Sequence, residues 1–400
     1  MHSKIALPPA LLALVAAGAG CNLIFGIEPG TEAPASSSSS TAASAPSGSG
    51  GFASSTSSSG GDGGAGGDAG GGAGGDAGGG APSCAPSSCT AGSCPVTQMA
   101  GDLGMNPKGM VVIEDAVLLA NGEAIMAIPK DGGAARALPG TPGFGDASWV
   151  TYSDGQLSWI NWSNGNVLGI SIDPPSSSPI QIAEVPQEEG DVYPAYGRIA
   201  AFGDSVYWVT QVPQAVWRAR ADGSQRLAEQ VASGGNPMGI AVDATHVYWS
   251  DYLASQILRK TKDPLGATAE VFAETNGNPT EVLLAKGIVY WVSDNTGAVQ
   301  SKATDAALDD PPFTYTVDDQ AIAKSVAVDD EFVYWTVQEN AEGQGEVRRA
   351  HIGRGDTTTL TTGEPYFFEI AIDCGSIYWT LNNLEGDEEA VVFTMPKPSN

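Results

Sequence analysis

Histidine is nearly missing from this chain of 400 residues: there are three, and basic residues are also few, 18 against 46 acids. His2 falls at the extreme N-terminus, His246 at a turn and His351 beside Arg349 on a strand, so a Ser-His-Asp hydrolase would lack a poised base. A His-rich metal site cannot be built from them either. The acidic excess repels phosphate backbones and anionic headgroups, which argues against nucleic acid as a partner. Setting aside Lys4 and the five acids before Ser93 (Glu28, Glu32, Asp62, Asp68, Asp76) leaves 41 acids and 17 bases, an excess of 24. Such a surface keeps the body soluble and is compatible with cationic partners or divalent ions. Amphipathic helical periodicity longer than two turns is absent after residue 94. The apolar run from Ile5 to Ala19 is broken by Pro8-Pro9 and is too short to span a bilayer comfortably.

That run has the form of an export signal over 1–20: Lys4 precedes it, and small residues close it. Its end, Gly18-Ala19-Gly20-Cys21, resembles the lipobox of bacterial lipoproteins, with Gly18 where that family has Leu. The resemblance implies lipidation of Cys21, and therefore an exported protein anchored to the cell envelope through its lipid. Asn22 stands where an inner-membrane retention Asp would be, which points to the outer membrane.

Within residues 21–83, the stretch from about Thr31 to Ser83 is Ser/Ala/Pro-rich and then nearly pure Gly, Ala and Asp. This composition cannot bury enough apolar surface to offset ordering entropy, so a disordered tether is expected, with a reach on the order of 40 Å. The Gly-Asp run lacks the bulky apolar residue that a calcium-binding β-roll needs in each unit. It also lacks the flanking strand and helix of a phosphate cradle.

Besides Cys21 there are four cysteines, Cys84, Cys89, Cys94 and Cys374, and in an exported chain an even set reads as disulfides. Residues 84–94 form a Cys-containing lead-in, whose spacing is wider than a zinc knuckle and has no His nearby. The expectation is one bond within the N-terminal trio and one from Cys374 to the 84–94 segment.

What the body does possess is a repeat. A branched apolar residue followed by Tyr-Trp occurs at Val206-Tyr207-Trp208, Val247-Tyr248-Trp249, Val289-Tyr290-Trp291, Val333-Tyr334-Trp335 and Ile377-Tyr378-Trp379. Trp159 marks another copy, and Val117-Leu118-Leu119 a degenerate one. The 40- to 49-residue spacing is that of a four-stranded propeller blade. Asp243, Asp329 and Asp373 precede the aromatic strand at equivalent places and suit turns. The expected fold is all-β: a seven-bladed β-propeller of four-stranded blades over 95–400, with six or eight blades as alternatives. After Trp379 only one more strand fits, Ala390 to Met395, so the N-terminal strand near Pro95 to Ala100 should complete the last blade and close the ring.

Tyr248-Trp249-Ser250-Asp251 and its copies resemble the Tyr-Trp-Thr-Asp propellers of lipoprotein-receptor ectodomains and, more broadly, bacterial secreted propellers of the NHL type. That resemblance covers roughly Pro95 to Met395 and implies the fold; the receptor class usually has six blades.

Residues shared by the copies read as structure, so candidate ligand residues are those where the copies differ, in loops ringing one end of the pore. These are Asn161, Trp162, Asn164, Tyr252, Asp294, Asn295, Gln338, Glu339, Asn340, Asn382 and Asn383, with Tyr366 and Phe367 where the chain turns into an inner strand. Amides with aromatics suit a glycan or peptide. The acidic clusters Asp309-Asp310, Asp318-Asp319, Asp329-Asp330-Glu331 and Glu385 to Glu389 read as solvated loops. No catalytic residue and no cofactor emerges, although Ca²⁺ would suit loop carboxylates. The reading is a binding or scaffold module for a protein, peptide or glycan. The alternatives are a divalent-metal-dependent lyase or lactone hydrolase, and a calcium-dependent adhesion module.

Overall fold

The structure, a computed structural model, describes residues 88–104, 107–143, 146–162, 165–184, 196–263, 268–382 and 390–399. The export signal, the tether, Cys21, Cys84, Asn164, Asn383 and Glu385 to Glu389 lie outside them. Seven antiparallel sheets of four strands each are arranged as blades, numbered here in chain order, and the described residues contain no helix. Blade 4 is representative: inner strand Pro237–Val242, second His246–Asp251, third Gln256–Thr261, outer Glu270–Glu274. Seven is therefore the blade count, and the alternatives of six and eight are set aside.

Side chains alternate across a strand, so Tyr and Trp of each Tyr-Trp pair point to opposite neighbouring blades. Tyr207 meets Trp249, Tyr248 meets Trp291, Tyr290 meets Trp335, and Tyr334 meets Trp379, each pair in one apolar cluster between successive blades. Blade 1 substitutes leucines: Leu119 receives Tyr378, while Leu118 meets Trp159. The six repeat tryptophans are at most 2% exposed. Each aromatic ring of this size removes roughly 150–250 Å² from water, worth about 4–6 kcal/mol before entropy is counted.

The repeated Asp fixes the turn into the second strand. Asp243 Oδ1 accepts the N–H groups of Thr245 and His246, both at 2.7 Å, and Oδ2 accepts the Tyr248 hydroxyl at 3.1 Å. Asp329 does the same with Glu331, Phe332 and Tyr334, and Asp373 with Gly375, Ser376 and Tyr378. Burial acts to raise these carboxyls. It is outweighed by backbone amides at Asp243, by Lys397 at Asp329 and by Lys130 at Asp373, and all three are held below the usual Asp value. The two lysines also join blades: Lys130 in blade 1 reaches Asp373 in blade 7, and Lys397 after blade 7 reaches Asp329 in blade 6, both at 2.9 Å.

The ring closes as the strand count required. Thr97–Ala100 is the outer strand of blade 7, pairing Thr97 with Thr394 and Gln98 with Phe393 on the strand Val391–Pro396. Cys89 and Cys94 form a disulfide with their Cα atoms 5.0 Å apart, the bond expected within the N-terminal trio. Cys374 is also disulfide-bonded; a pairing with Cys84 involves a residue outside the described ones. The lead-in is tied to the C-terminus as well, because Ser399 donates to the Cys89 carbonyl from both its N–H and its hydroxyl at 2.9 Å.

Candidate functional site

The antiparallel order gives the ring two unlike ends. Turns from inner to second strands gather at one end; loops from second to third strands, and connections into inner strands, gather at the other. His246 opens a second strand and His351 ends a third, which places both at the turn end. The expected ligand residues that are described belong to the loop end.

The inner strands add a feature that the repeat conceals. In blades 2 to 7 the pairing of inner and second strands slips ahead of the residue opposite the repeat Trp, directly before it between Ser148 and Val150 in blade 2 and one residue earlier, between Pro279 and Glu281, in blade 5. The residue immediately before that partner is Trp149, Arg198, Gly239, Glu281, Ser325 and Glu369 in blades 2 to 7, and Gly109 in blade 1. Five of these seven, Gly109, Trp149, Arg198, Glu281 and Glu369, line one cavity of about 20 Å³ at the meeting of the inner strands. That volume holds roughly one water molecule.

Glycine is required where strands come closest. A Cβ on Gly239 would lie 2.6 Å from the backbone N of Val282, and one on Gly109 2.6 Å from that of Val150. Trp149 takes the left-handed backbone, φ 49°, a conformation costly for an aromatic residue. Its ring lies 4.5 Å from the Arg198 guanidinium.

Arg198 then binds both carboxylates. Nη1 and Nη2 reach the two oxygens of Glu369 at 3.1 and 3.2 Å, and Nη2 also lies 3.2 Å from Glu281 Oε2. The three side chains are 17%, 7% and 6% exposed for Arg198, Glu369 and Glu281. Glu281 Oε2 additionally accepts the Val326 N–H at 3.2 Å. Burial, assisted by the charge of Glu369 and opposed by Arg198, pushes the Glu281 carboxyl up to about 7. Burial alone would lower the guanidinium, but Glu281 and Glu369 outweigh it and hold Arg198 above its ordinary value.

At the loop end, the expected residues divide by what their side chains do. Asn295 bonds Asn278 through both amide atoms, at 2.6 and 3.2 Å. Asn340 Oδ1 caps its own loop by accepting from Glu342 and Gln344 N–H, and its Nδ2 bonds Glu346. Asn382 Nδ2 donates to Pro107 O at 3.1 Å, tying blade 7 to blade 1. Asn161, Gln338 and Phe367 are buried. The Asn295, Asn340 and Asn382 side chains thus brace loops.

Trp162, Tyr252, Asp294, Glu339 and Tyr366 are half-buried at that same end, contributed by blades 2, 4, 5 and 6 and the approach to blade 7. Lys108 Nζ sits 4.5 Å from the Trp162 ring centre, and Lys324 Nζ 5.6 Å from that of Phe368. Burial pushes the Asp294 carboxyl up, while Lys324 and a Tyr252 hydrogen bond act against it. Tyr366 is a second strained aromatic, φ 80°. Among the described residues no three His, Cys, Asp or Glu side chains converge to hold a metal.

Ring and axis define a β-propeller whose pore is filled by an ion cluster. No protein-family profile and no curated protein matches the chain. Solved structures do. A streptogramin B lyase aligns with TM-score 0.57 and 13% identity over 75% of this chain and 97% of its own. Virginiamycin B lyase from Staphylococcus aureus gives 0.54 and 14% over 75% and 98%, and YCF48 bound to a D1 peptide gives 0.54 and 11% over 79% and 97%. At such identities the likeness shows the fold alone.

Proposed function

We infer that the protein is an exported binding or scaffold module, anchored through Cys21 and displayed on the 21–83 tether, which engages a protein, peptide or glycan of the envelope at the loop end of the propeller. The observation that supports a site at the loop end rather than on the axis is that Arg198, Glu281 and Glu369 leave only about 20 Å³ between the inner strands. Half-buried Trp162, Tyr252 and Tyr366 offer the rigid aromatic area that recognition surfaces favour.

The enzymatic alternative draws on the lyase neighbours, one of which is a catalytically inactive histidine-to-alanine variant with quinupristin. Here both described histidines lie at the turn end, away from the aromatic residues of the loop end.

The test is a screen of the purified full chain against envelope glycans and peptides, with Trp162→Ala/Tyr252→Ala alongside. Binding that the double variant loses supports the reading; a ligand bound equally by both, or turnover of any ligand, contradicts it.

A further inference from the structure

Blades 3, 5 and 7 each send one long charged side chain to the axis, where the other blades send Gly109, Trp149, Gly239 and Ser325. The set comprises two carboxyls and one guanidinium. Glu369 takes both terminal nitrogens of Arg198, and Glu281 is left a share in Nη2, the Val326 amide and the hydroxyl of Ser325. Ser325 Oγ in turn accepts the Ile370 N–H at 3.3 Å, so the cluster is wired into the backbones of blades 6 and 7. Among the described residues no other titratable group lines the cavity: the inner strands of blades 1, 2 and 4 contribute Gly109, Met110, Trp149, Val150 and Ile240. Lys324, next to Ser325, is drawn instead over Phe368 and toward Asp294.

We propose that this axial cluster is a one-proton site, in which Glu281 keeps its proton so that a neutral set clasps blades 3, 5 and 7 across the pore. The physical reason is charge balance in a closed space. One guanidinium neutralises one carboxylate, and a second carboxylate close to the first is disfavoured by both burial and like charge. A protonated Glu281 is a hydrogen-bond donor as well as an acceptor, and without a negative charge it no longer competes with Glu369 for the cation, while its Oε2 stays within reach of Nη2. As the proton leaves, two carboxylates compete for one cation and the clasp loosens. The ring is therefore tightened by mild acid, whatever the loop end binds, and this response is separate from the proposed recognition function.

For an acid whose folded value is raised, the stabilisation is complete below the unfolded value, near 4.3, and is lost as pH rises through the folded one, about 7. Thermal unfolding of the full chain should be followed from pH 5 to 8.5 beside Glu281→Gln, whose amide imitates the protonated acid. Subtracting the variant removes every other titrating group. The wild-type Tm, relative to Glu281→Gln, should fall by about 5 °C across that window, given the linkage and the unfolding entropy of a body this size. Infrared spectra of the unaltered chain at pH 6 should contain a protonated-carboxyl band that Glu281→Gln lacks. Parallel pH profiles for the two proteins would overturn the proposal. Should the variant not fold, the absence of that band from the wild type at pH 6, or its persistence undiminished at pH 8.5, would overturn it equally.

Discussion

Arg198 and Glu369 are 171 residues apart in the chain and meet at the axis of the ring through paired contacts of 3.1 and 3.2 Å. The pair spans blades 3 and 7, so it can form only in the closed ring. Replacing Arg198 by Ala would leave two buried carboxyls without their cation. Breaking a buried pair in this way costs about 3–5 kcal/mol. Urea unfolding of Arg198→Ala is expected to show a loss of that size, beyond what an exposed Arg220→Ala would cause.

Acid should act on the ring in the opposite direction below about pH 4. Asp243, Asp329 and Asp373 are held below the ordinary value by the donors of their turns and by Lys397 and Lys130. A depressed carboxyl contributes stability above the unfolded value, roughly 3.9, and that contribution is lost as pH falls through the folded value. Chemical denaturation at stepped pH should show stability dropping below about pH 4, and Asp243→Asn should flatten part of that drop.

Gly239 tests how closely the inner strands approach. A Cβ there meets Val282 N at 2.6 Å and the Glu281 backbone at 2.9 Å, atoms that cannot swing away. Gly239→Ala is expected to cost about 1–3 kcal/mol, measured by the same urea unfolding, whereas Gly353→Ala meets no atom within 4 Å and carries only the cost of its positive φ.

Lipid anchoring is tested apart from the fold. Cys21→Ser should move the protein from the membrane to the soluble fraction of its cells, and retention at the wild-type level would count against the lipobox reading.

The spokes of this ring were legible in the sequence because Tyr-Trp and the turn Asp recur with one spacing, and recurrence reports a shared packing requirement. Tyr248 and Trp291, or Asp243 and Tyr248, are contacts of that kind. The axial cluster was not legible, for the converse reason. Arg198, Glu281 and Glu369 occupy equivalent positions, but the same place in the other blades holds Gly109, Trp149, Gly239 or Ser325, so no recurrence marks it, and the bulge beside it leaves no mark on apolar periodicity. A signal was available in principle: each stands directly before the inner-strand residue that pairs with the repeat Trp. The amides of Asn295, Asn340 and Asn382 invited a ligand reading for a similar reason. Their commitments, to Asn278, to the 340–346 loop and to Pro107, are made in the folded loops and cannot be read from composition.

The set of residues that share the axis depends on closure of the ring by the N-terminal strand. Hydrogen exchange at the amides of Thr97–Ala100 measures that directly. Protection comparable to that of Val391–Pro396, against which the strand is paired, is the expected result. Exchange at the rate of an unstructured chain, with Val391–Pro396 still protected, would contradict the closed seven-bladed ring.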